Sequence, residues 1–205
     1  MSAENVVHII DDDEAARDSL AFLLQSSSLV VRTYESAAAF LDNLAEVGGG
    51  CVVTDVRMPD IDGIELLRRL KTANSGLPVI VITGHADVPL AVTAMKYGAV
   101  EFFEKPFEDD ALLGAVRSAL DQTQQASQRD ADKREILERV EQLTGREREV
   151  LDALVLGHAN KVIAFDLQIS PRTVEIYRAN VMTKMRAKSL SDLVRMALLV
   201  GIAGR

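Results

Sequence analysis

The sequence predicts a doubly wound α/β unit, a five-stranded parallel sheet with helices on both faces, followed by an all-α unit of four helices. Three observations carry this reading. Short apolar runs alternate with helix-period segments through residues 1–120, the pattern of successive βαβ units. From residue 139 onward strand patterns cease and helix-start signals recur. Charge divides at the same place: residues 1–120 hold 9 Lys and Arg against 19 Asp and Glu, whereas residues 139–205 hold 11 against 7. An acidic unit joined to a mildly basic one suggests two jobs, the second on nucleic acid.

In chain order, strands are expected over 5–10, 29–34, 50–54, 78–83 and 99–103, with amphipathic helices over 15–26, 36–46, 63–74, 87–97 and 108–120. Right-handed crossovers then cover both faces of the sheet. Gly48-Gly49-Gly50 precedes a strand and has no Lys-Ser/Thr after it, so it reads as a flexible turn rather than a phosphate loop. Residues 121–138 lose the apolar stripe and are rich in glutamine, without Gly or Pro. Such a linker is either a solvent-bridging helix or a tether, and a helix continuing from the fifth one is the preferred reading. In the second unit, Thr144 with Glu147 forms a capping-box pattern ahead of Val150, Leu151 and Leu154. Gly157 suits that helix's end and Asn160 the next start. Ser170-Pro171 opens a third helix and Ser189 caps a final one through Val200. Four helices with short connections make a helix-turn-helix candidate.

Composition narrows the function classes. With 48% hydrophobic residues the chain can bury a core, and no apolar run approaches the length of a membrane span. No leader pattern is present, so a cytoplasmic protein with no membrane partner is expected. The lone Cys51 excludes an internal disulfide and a cysteine-rich zinc site, and its strand position reads as a buried small hydrophobe. His8, His85 and His158 match no metal spacing and read as structural or surface groups.

Four apolar runs end in residues suited to handling a phosphoryl group. Asp11-Asp12 follows Ile10, Asp55 follows Thr54, Thr83 ends Val79–Ile82, and Lys105-Pro106 follows the fifth run. The carboxyl ends of parallel strands converge on one crevice, where such folds bind ligands. Gathered carboxylates repel unless a cation lies among them, and hard oxygen donors favour Mg²⁺. Asp55 would then be able to attack phosphorus, with Lys105 neutralising the transferred oxygens and the Thr83 hydroxyl free to donate to them. Each residue alone has a bland reading. Asp11-Asp12-Asp13-Glu14 suits any helix start, Thr83 any strand end, and Lys105 any surface. Their joint occurrence at four strand ends favours function.

These residues, with Met58-Pro59 and Asp62-Gly63, make residues 1–120 similar to a response-regulator receiver domain of the CheY type. The resemblance implies that Asp55 accepts a phosphoryl group from a sensor histidine kinase. It also implies that Mg²⁺ is held by Asp12, Asp55 and the backbone carbonyl of Arg57, with Asp11 assisting through water. Thr83 and Phe102 would be the switch pair, Phe102 lacking the hydroxyl of the family's common tyrosine. The Lys105–Pro106 bond is typically cis in that family.

On a helix from Pro171, Val174, Tyr177, Val181 and Met185 form one stripe. Arg172, Ile176, Ala179 and Thr183 lie opposite, flanked by Glu175 and Asn180. Ile176 and Ala179 suit thymine methyls and Glu175 suits cytosine N4. Arg172, Thr173, Arg178 and Lys184 are placed for phosphate contacts that fix register. An ordinary solvated helix face is the bland alternative. Leu143-Thr144-Gly145-Arg146-Glu147, Asn160-Lys161 with Ile163-Ala164, and Ser170-Pro171-Arg172-Thr173-Val174-Glu175 resemble the LuxR/FixJ-type DNA-binding domain over residues 139–205.

The combined resemblance implies a transcription activator of the FixJ type. Its partners would be a FixL-like haem-based kinase, promoter DNA and RNA polymerase, and its targets nitrogen-fixation or microaerobic genes; a paralogue serving another signal is the competing reading. A homodimer formed on phosphorylation is expected near Val92, Lys96 and Phe102. An enzyme is not expected. Dehalogenase-type phosphatases, which pass through an aspartyl phosphate, place a second Asp two residues after the nucleophile, where this chain has Arg57, and the C-terminal helices make no evident substrate cap.

Overall fold

A computed structural model of the chain describes residues 6–85 and 87–202, which divide into two compact units, one ending at Ser127 and the other starting at Gln128. The first unit runs β1 (Val6–Ile10), α1 (Glu14–Ser26), β2 (Val30–Tyr34), α2 (Ala37–Asp42), a 3₁₀ turn (Leu44–Glu46), β3 (Cys51–Asp55), α3 (Gly63–Thr72), β4 (Val79–Thr83), α4 (Val88–Tyr97), β5 (Glu101–Glu104) and the start of α5 (Asp109–Glu141). All strand pairs are parallel, in the order β2-β1-β3-β4-β5. Asn5, where the first strand was expected to begin, lies outside the described residues.

Period-2 alternation sorts the strand side chains onto two faces. Val7, Ile9, Cys51, Val53, Ile80 and Ile82 meet Leu24 of α1 and Leu112 and Val116 of α5. Ile10, Val52, Val79 and Val81 meet Phe40 of α2, Leu66 and Leu70 of α3, and Ala94 of α4. Because β1, β3 and β4 are covered on both faces, they read as continuous apolar runs, whereas the edge strands β2 and β5 are largely exposed. Burying each aliphatic side chain contributes about 1.5–3 kcal/mol. Cys51 is fully buried, and burial pushes its thiol pKa up to about 12, so it packs as an inert hydrophobe. His8 is also buried, its ring between the Tyr34 hydroxyl (3.2 Å) and the Gly49 carbonyl (3.3 Å), with burial first among the causes that lower its pKa.

In the loops that follow three of the strands, aspartates start the helices. Asp13, Asp62 and Asp87 each accept from a backbone N–H of the first helical turn, at 3.1, 2.7 and 2.7 Å. One expected element differs. The helix expected over 36–46 stops at Asp42 and continues only as the 3₁₀ turn. Asn43 leaves the α region, and its side-chain amide donates to the Ala39 carbonyl at 2.8 Å, the local competition that shortens helices.

The second unit holds the end of α5, then α6 (Gly145–Val155), α7 (Asn160–Asp166), α8 (Pro171–Lys184) and α9 (Leu190–Leu199). Val150, Leu151, Leu154, Ile163, Val174, Val181, Met185 and Leu193 form its core. The Thr144–Glu147 capping box is complete, with Glu147 Oε2 accepting from the Thr144 N–H at 2.8 Å and Thr144 Oγ1 accepting from the Glu147 N–H at 3.3 Å. Ser170 and Ser189 cap α8 and α9 as expected. Asn160 starts α7 without capping it; Ala159 holds the cap position, and the Asn160 side chain instead accepts from Arg178 at 3.4 Å.

The glutamine-rich segment is helical, and the division between units falls inside it. After Glu135 the apolar stripe resumes, and Ile136 and Val140 join the second core. Arg139 anchors the same turn by donating to the Met185 carbonyl at 3.1 Å. A fragment of residues 128–205 should therefore fold alone. One of residues 142–205 should lose about 3–6 kcal/mol from two buried aliphatics, most of a small domain's stability. Urea unfolding of both fragments followed by circular dichroism checks this.

Candidate functional site

Asp11 stands at the end of β1, Asp55 at the end of β3, and Lys105 directly after β5. The parallel topology brings them together across 94 and 50 positions of sequence. Lys105 Nζ donates to Asp55 Oδ1 at 2.9 Å and to Asp11 Oδ2 at 3.1 Å. Both acids are nearly covered, their side chains 4% and 11% exposed. Remaining oxygens are used locally: Asp11 Oδ1 accepts from the Asp13 N–H at 3.0 Å, and Asp55 Oδ2 from the Arg57 N–H at 2.6 Å. The Lys105 N–H donates to the Thr83 carbonyl at 2.8 Å, and the Lys105–Pro106 bond is cis.

Burial raises the Asp11 pKa, more than the Asp13 N–H and Lys105 lower it. For Lys105 burial works toward a lower pKa, but the hydrogen bonds to Asp55 and Asp11 outweigh it and the net shift is upward. The ammonium therefore stays charged, and Asp11 is the strained member of the group.

The geometry adds a cation of the chain's own to the carboxylates expected at the strand ends. Among the described residues no three His, Cys, Asp or Glu side chains form a cluster able to hold a metal ion. The charge between Asp11 and Asp55 is the chain's own ammonium, and Asp12 is exposed beside them. The donor set still suits Mg²⁺, which takes only one or two carboxylates and keeps several waters.

Thr83 is fully buried, and its hydroxyl is engaged with its own loop, accepting from the His85 N–H at 3.3 Å and donating to the His85 carbonyl at 3.5 Å. Phe102 is half-buried against the α3–α4 face of the sheet. Val92 and Lys96 are exposed on α4. Val88 and Met95, unremarked in the sequence, extend the same apolar stripe at 77% and 49% exposure; their spacing of four and three from Val92 was the available signal. Phe22 is a second omission. It is 77% exposed on α1, off the stripe of Leu20 and Leu24, and borders a cavity of about 570 Å³ that reaches Lys105 and Pro106.

On α8, Val174, Val181 and Met185 are buried and Tyr177 half-buried, leaving Arg172, Glu175, Ile176, Ala179, Asn180 and Thr183 exposed. Thr173 pairs its hydroxyl with Ser170 at 2.8 Å, and Arg178 is partly withdrawn toward Asn160. Lys184 does not serve as expected. Its ammonium is committed to buried Glu147 at 2.6 Å and to the Gln142 carbonyl at 3.2 Å, so it fastens α8 to α6 instead of facing DNA.

Comparison with known proteins agrees with both units. The family model described as "Response regulator receiver domain" matches residues 7–117, and "Bacterial regulatory proteins, luxR family" matches 141–197. The chain is 58% identical over 197 residues to the transcriptional regulatory protein FixJ of Azorhizobium caulinodans, covering 96% of this chain and 93% of that one. Among solved structures it is similar to full-length FixJ from B. japonicum (53% identity, 98% of each chain, TM-score 0.60). It is likewise similar to the response regulator StyR (39% identity, 94% of this chain and 98% of that chain, TM-score 0.83).

Proposed function

Because this chain belongs to the LuxR/FixJ-type response regulators, and so is a phosphorylation-activated regulator of transcription, we propose how its residues divide the work. Asp55 is the phosphoryl acceptor: a carboxylate oxygen attacks phosphorus, an acyl phosphate forms, and the bond to the donor's histidine nitrogen or acyl oxygen breaks. The observation that carries this is Lys105 Nζ at 2.9 Å from Asp55, a fixed positive charge where the transferred oxygens arrive. Asp12, Asp55 and the Arg57 carbonyl, with Asp11 assisting through water, would hold Mg²⁺, which would supply further charge neutralisation. The Thr83 hydroxyl then exchanges its His85 contacts for a phosphoryl oxygen, and Phe102 repacks.

The donor is a sensor histidine kinase, FixL-like by resemblance, seated on the Phe22 cavity that opens beside Lys105. Repacking around Thr83 and Phe102 changes the α4 surface, and the Val88–Val92–Met95 stripe with Lys96 pairs with a second copy. A dimer delivers two α8 helices to half-sites about one helical turn apart. There Arg172, Thr173 and Arg178 contact phosphates, while Glu175, Ile176, Ala179, Asn180 and Thr183 face base edges. RNA polymerase is the downstream partner, and the targets are nitrogen-fixation or microaerobic genes. A cytoplasmic setting suits a chain in which no described helix is long and apolar enough to cross a membrane.

The test is promoter-fragment binding in Mg²⁺ and acetyl phosphate, comparing wild type with Asp55→Asn. We expect tight, selective binding only for phosphorylated wild type. A near-complete switch requires about 5 kcal/mol of preference for the active state. Equal binding by both proteins would remove Asp55 from control of DNA binding.

A further inference from the structure

Arg17 is the only Lys or Arg in residues 1–31, among Asp11, Asp12, Asp13, Glu14 and Asp18. It falls in the opening turns of α1, where the macrodipole disfavours a cation. The structure contains the contact that offsets this cost. A guanidinium nitrogen of Arg17 donates to the backbone carbonyl of Asp11 at 2.7 Å, in a half-buried setting. The Arg17 N–H meanwhile donates to the Asp13 carbonyl at 2.9 Å. One residue thus clasps both ends of the turn between β1 and α1.

The Asp11 carbonyl belongs to the peptide that joins Asp11 to Asp12. Its orientation governs two side chains at once: the Asp11 carboxylate turned to Lys105 and to the Asp13 N–H, and the exposed Asp12 that follows. A mobile peptide there would let the Asp11 carboxylate swing away from Lys105 toward water.

Resting on the proposed role of Asp55 and its neighbours, we infer that Arg17 is a positioning residue of the phosphoryl-acceptor site, holding the Asp11–Asp12 peptide so that the acids are presented to Mg²⁺ in one arrangement. It touches neither the phosphoryl group nor the metal.

The experiment uses the full chain as wild type, Arg17→Ala and Arg17→Lys. Phosphorylation by acetyl phosphate is followed across a Mg²⁺ titration, and receiver unfolding by heat across the same titration without phosphoryl donor. Arg17→Ala should need about tenfold more Mg²⁺ for half-maximal phosphorylation, the scale of one charge-assisted hydrogen bond. At saturating Mg²⁺ its rate should approach that of wild type. The Mg²⁺ concentration that half-saturates the rise in unfolding temperature should move by the same factor, and Arg17→Lys should recover most of both shifts. A merely structural arginine would lower the unfolding temperature equally at all Mg²⁺ concentrations and leave both midpoints unmoved; that result, or no recovery in Arg17→Lys, overturns the inference. Should wild type and Asp55→Asn take up phosphoryl alike, the proposed acceptor fails instead, while the thermal titration still decides Arg17.

Discussion

Gly63→Ala is expected to damage the first unit and its phosphorylation together. A Cβ at residue 63 would lie 2.2 Å from the Asp55 carbonyl oxygen, 3.0 Å from its carbon and 3.1 Å from the Val56 Cα. All three atoms are backbone, so no flexible side chain can give way. The Gly63 N–H also donates to the Val56 carbonyl at 3.0 Å, which ties the start of α3 to the segment leaving β3. Relieving the clash must displace the peptide after Asp55 or tilt α3 off the sheet. Overpacking of this kind costs on the order of 3 kcal/mol, lowering the receiver's unfolding temperature by roughly 10–15 °C. Gly50→Ala is the control. Its Cβ would lie 2.0 Å from the Val6 carbonyl oxygen at a φ of +115°, so it should destabilise at least as much. Gly50 adjoins the other end of β3, however, away from Asp55. Among molecules still folded at low temperature, Gly50→Ala should take up phosphoryl at the wild-type rate and Gly63→Ala at a tenth or less, about 1.4 kcal/mol on the barrier. Equal rates in the two variants would show that the Gly63 contact only packs α3.

What the sequence revealed of this unit followed from periodicity and from topology. Buried parallel strands are continuous apolar runs, and a run of Val and Ile that stops at a polar residue marks its own carboxyl end. Parallel order then sends all those ends to one side, which is why Asp11, Asp55 and Lys105 could be grouped before any distance was known. The same logic cannot say how three charges share space. That Lys105 bridges two acids, with Asp12 left exposed, depends on burial and on donors such as the Asp13 and Arg57 N–H groups. Phe22 escaped notice for a related reason: an exposed aromatic is visible in sequence only once the buried face of its helix is known. Asn43 shows this at the smallest scale, since the helix stops where its side chain bonds back to the Ala39 carbonyl, although the apolar pattern continues.

In the second unit the caps were legible because they are local: Thr144 with Glu147, Ser170 with Pro171, and Ser189 all act within one turn. Lys184 was misread because its partner lies 37 positions earlier, and a helical wheel cannot distinguish a lysine facing solvent from one folded back on a neighbouring helix. The start of the folded unit was obscured likewise. Ile136 and Val140 follow a run without apolar stripe, and two residues one turn apart are too short a signal to separate from linker.

The partner of Lys184, Glu147, is a second position where a large loss is expected. This carboxylate is 3% exposed, accepts from Lys184 at 2.6 Å and from the Thr144 N–H at 2.8 Å, and so joins the start of α6 to the end of α8. Glu147→Ala leaves the Lys184 ammonium with only the Gln142 carbonyl and removes the carboxylate half of the capping box, the Thr144 N–H losing its acceptor while Thr144 Oγ1 still caps the residue-147 N–H. Breaking a buried pair costs about 3–5 kcal/mol; with Lys184 one-third exposed to water, about 3 is expected. DNA binding should fall with it, because α8 loses its C-terminal anchor while keeping every side chain on its exposed face. Glu147→Gln keeps a neutral cap and should lose about 1 kcal/mol. The sign of the pH dependence separates charge from shape. The Lys184 hydrogen bond leads the causes that hold the Glu147 pKa below its ordinary value of 4.5. A depressed carboxylate stabilises the fold fully above that ordinary value and loses the contribution as pH falls through the folded value. The gap in stability between wild type and Glu147→Gln should therefore be complete near pH 7 and close as pH drops below 4.5. A gap that stays constant down to pH 3 would mean that Glu147 acts through packing and its cap alone, and that the pair with Lys184 contributes nothing.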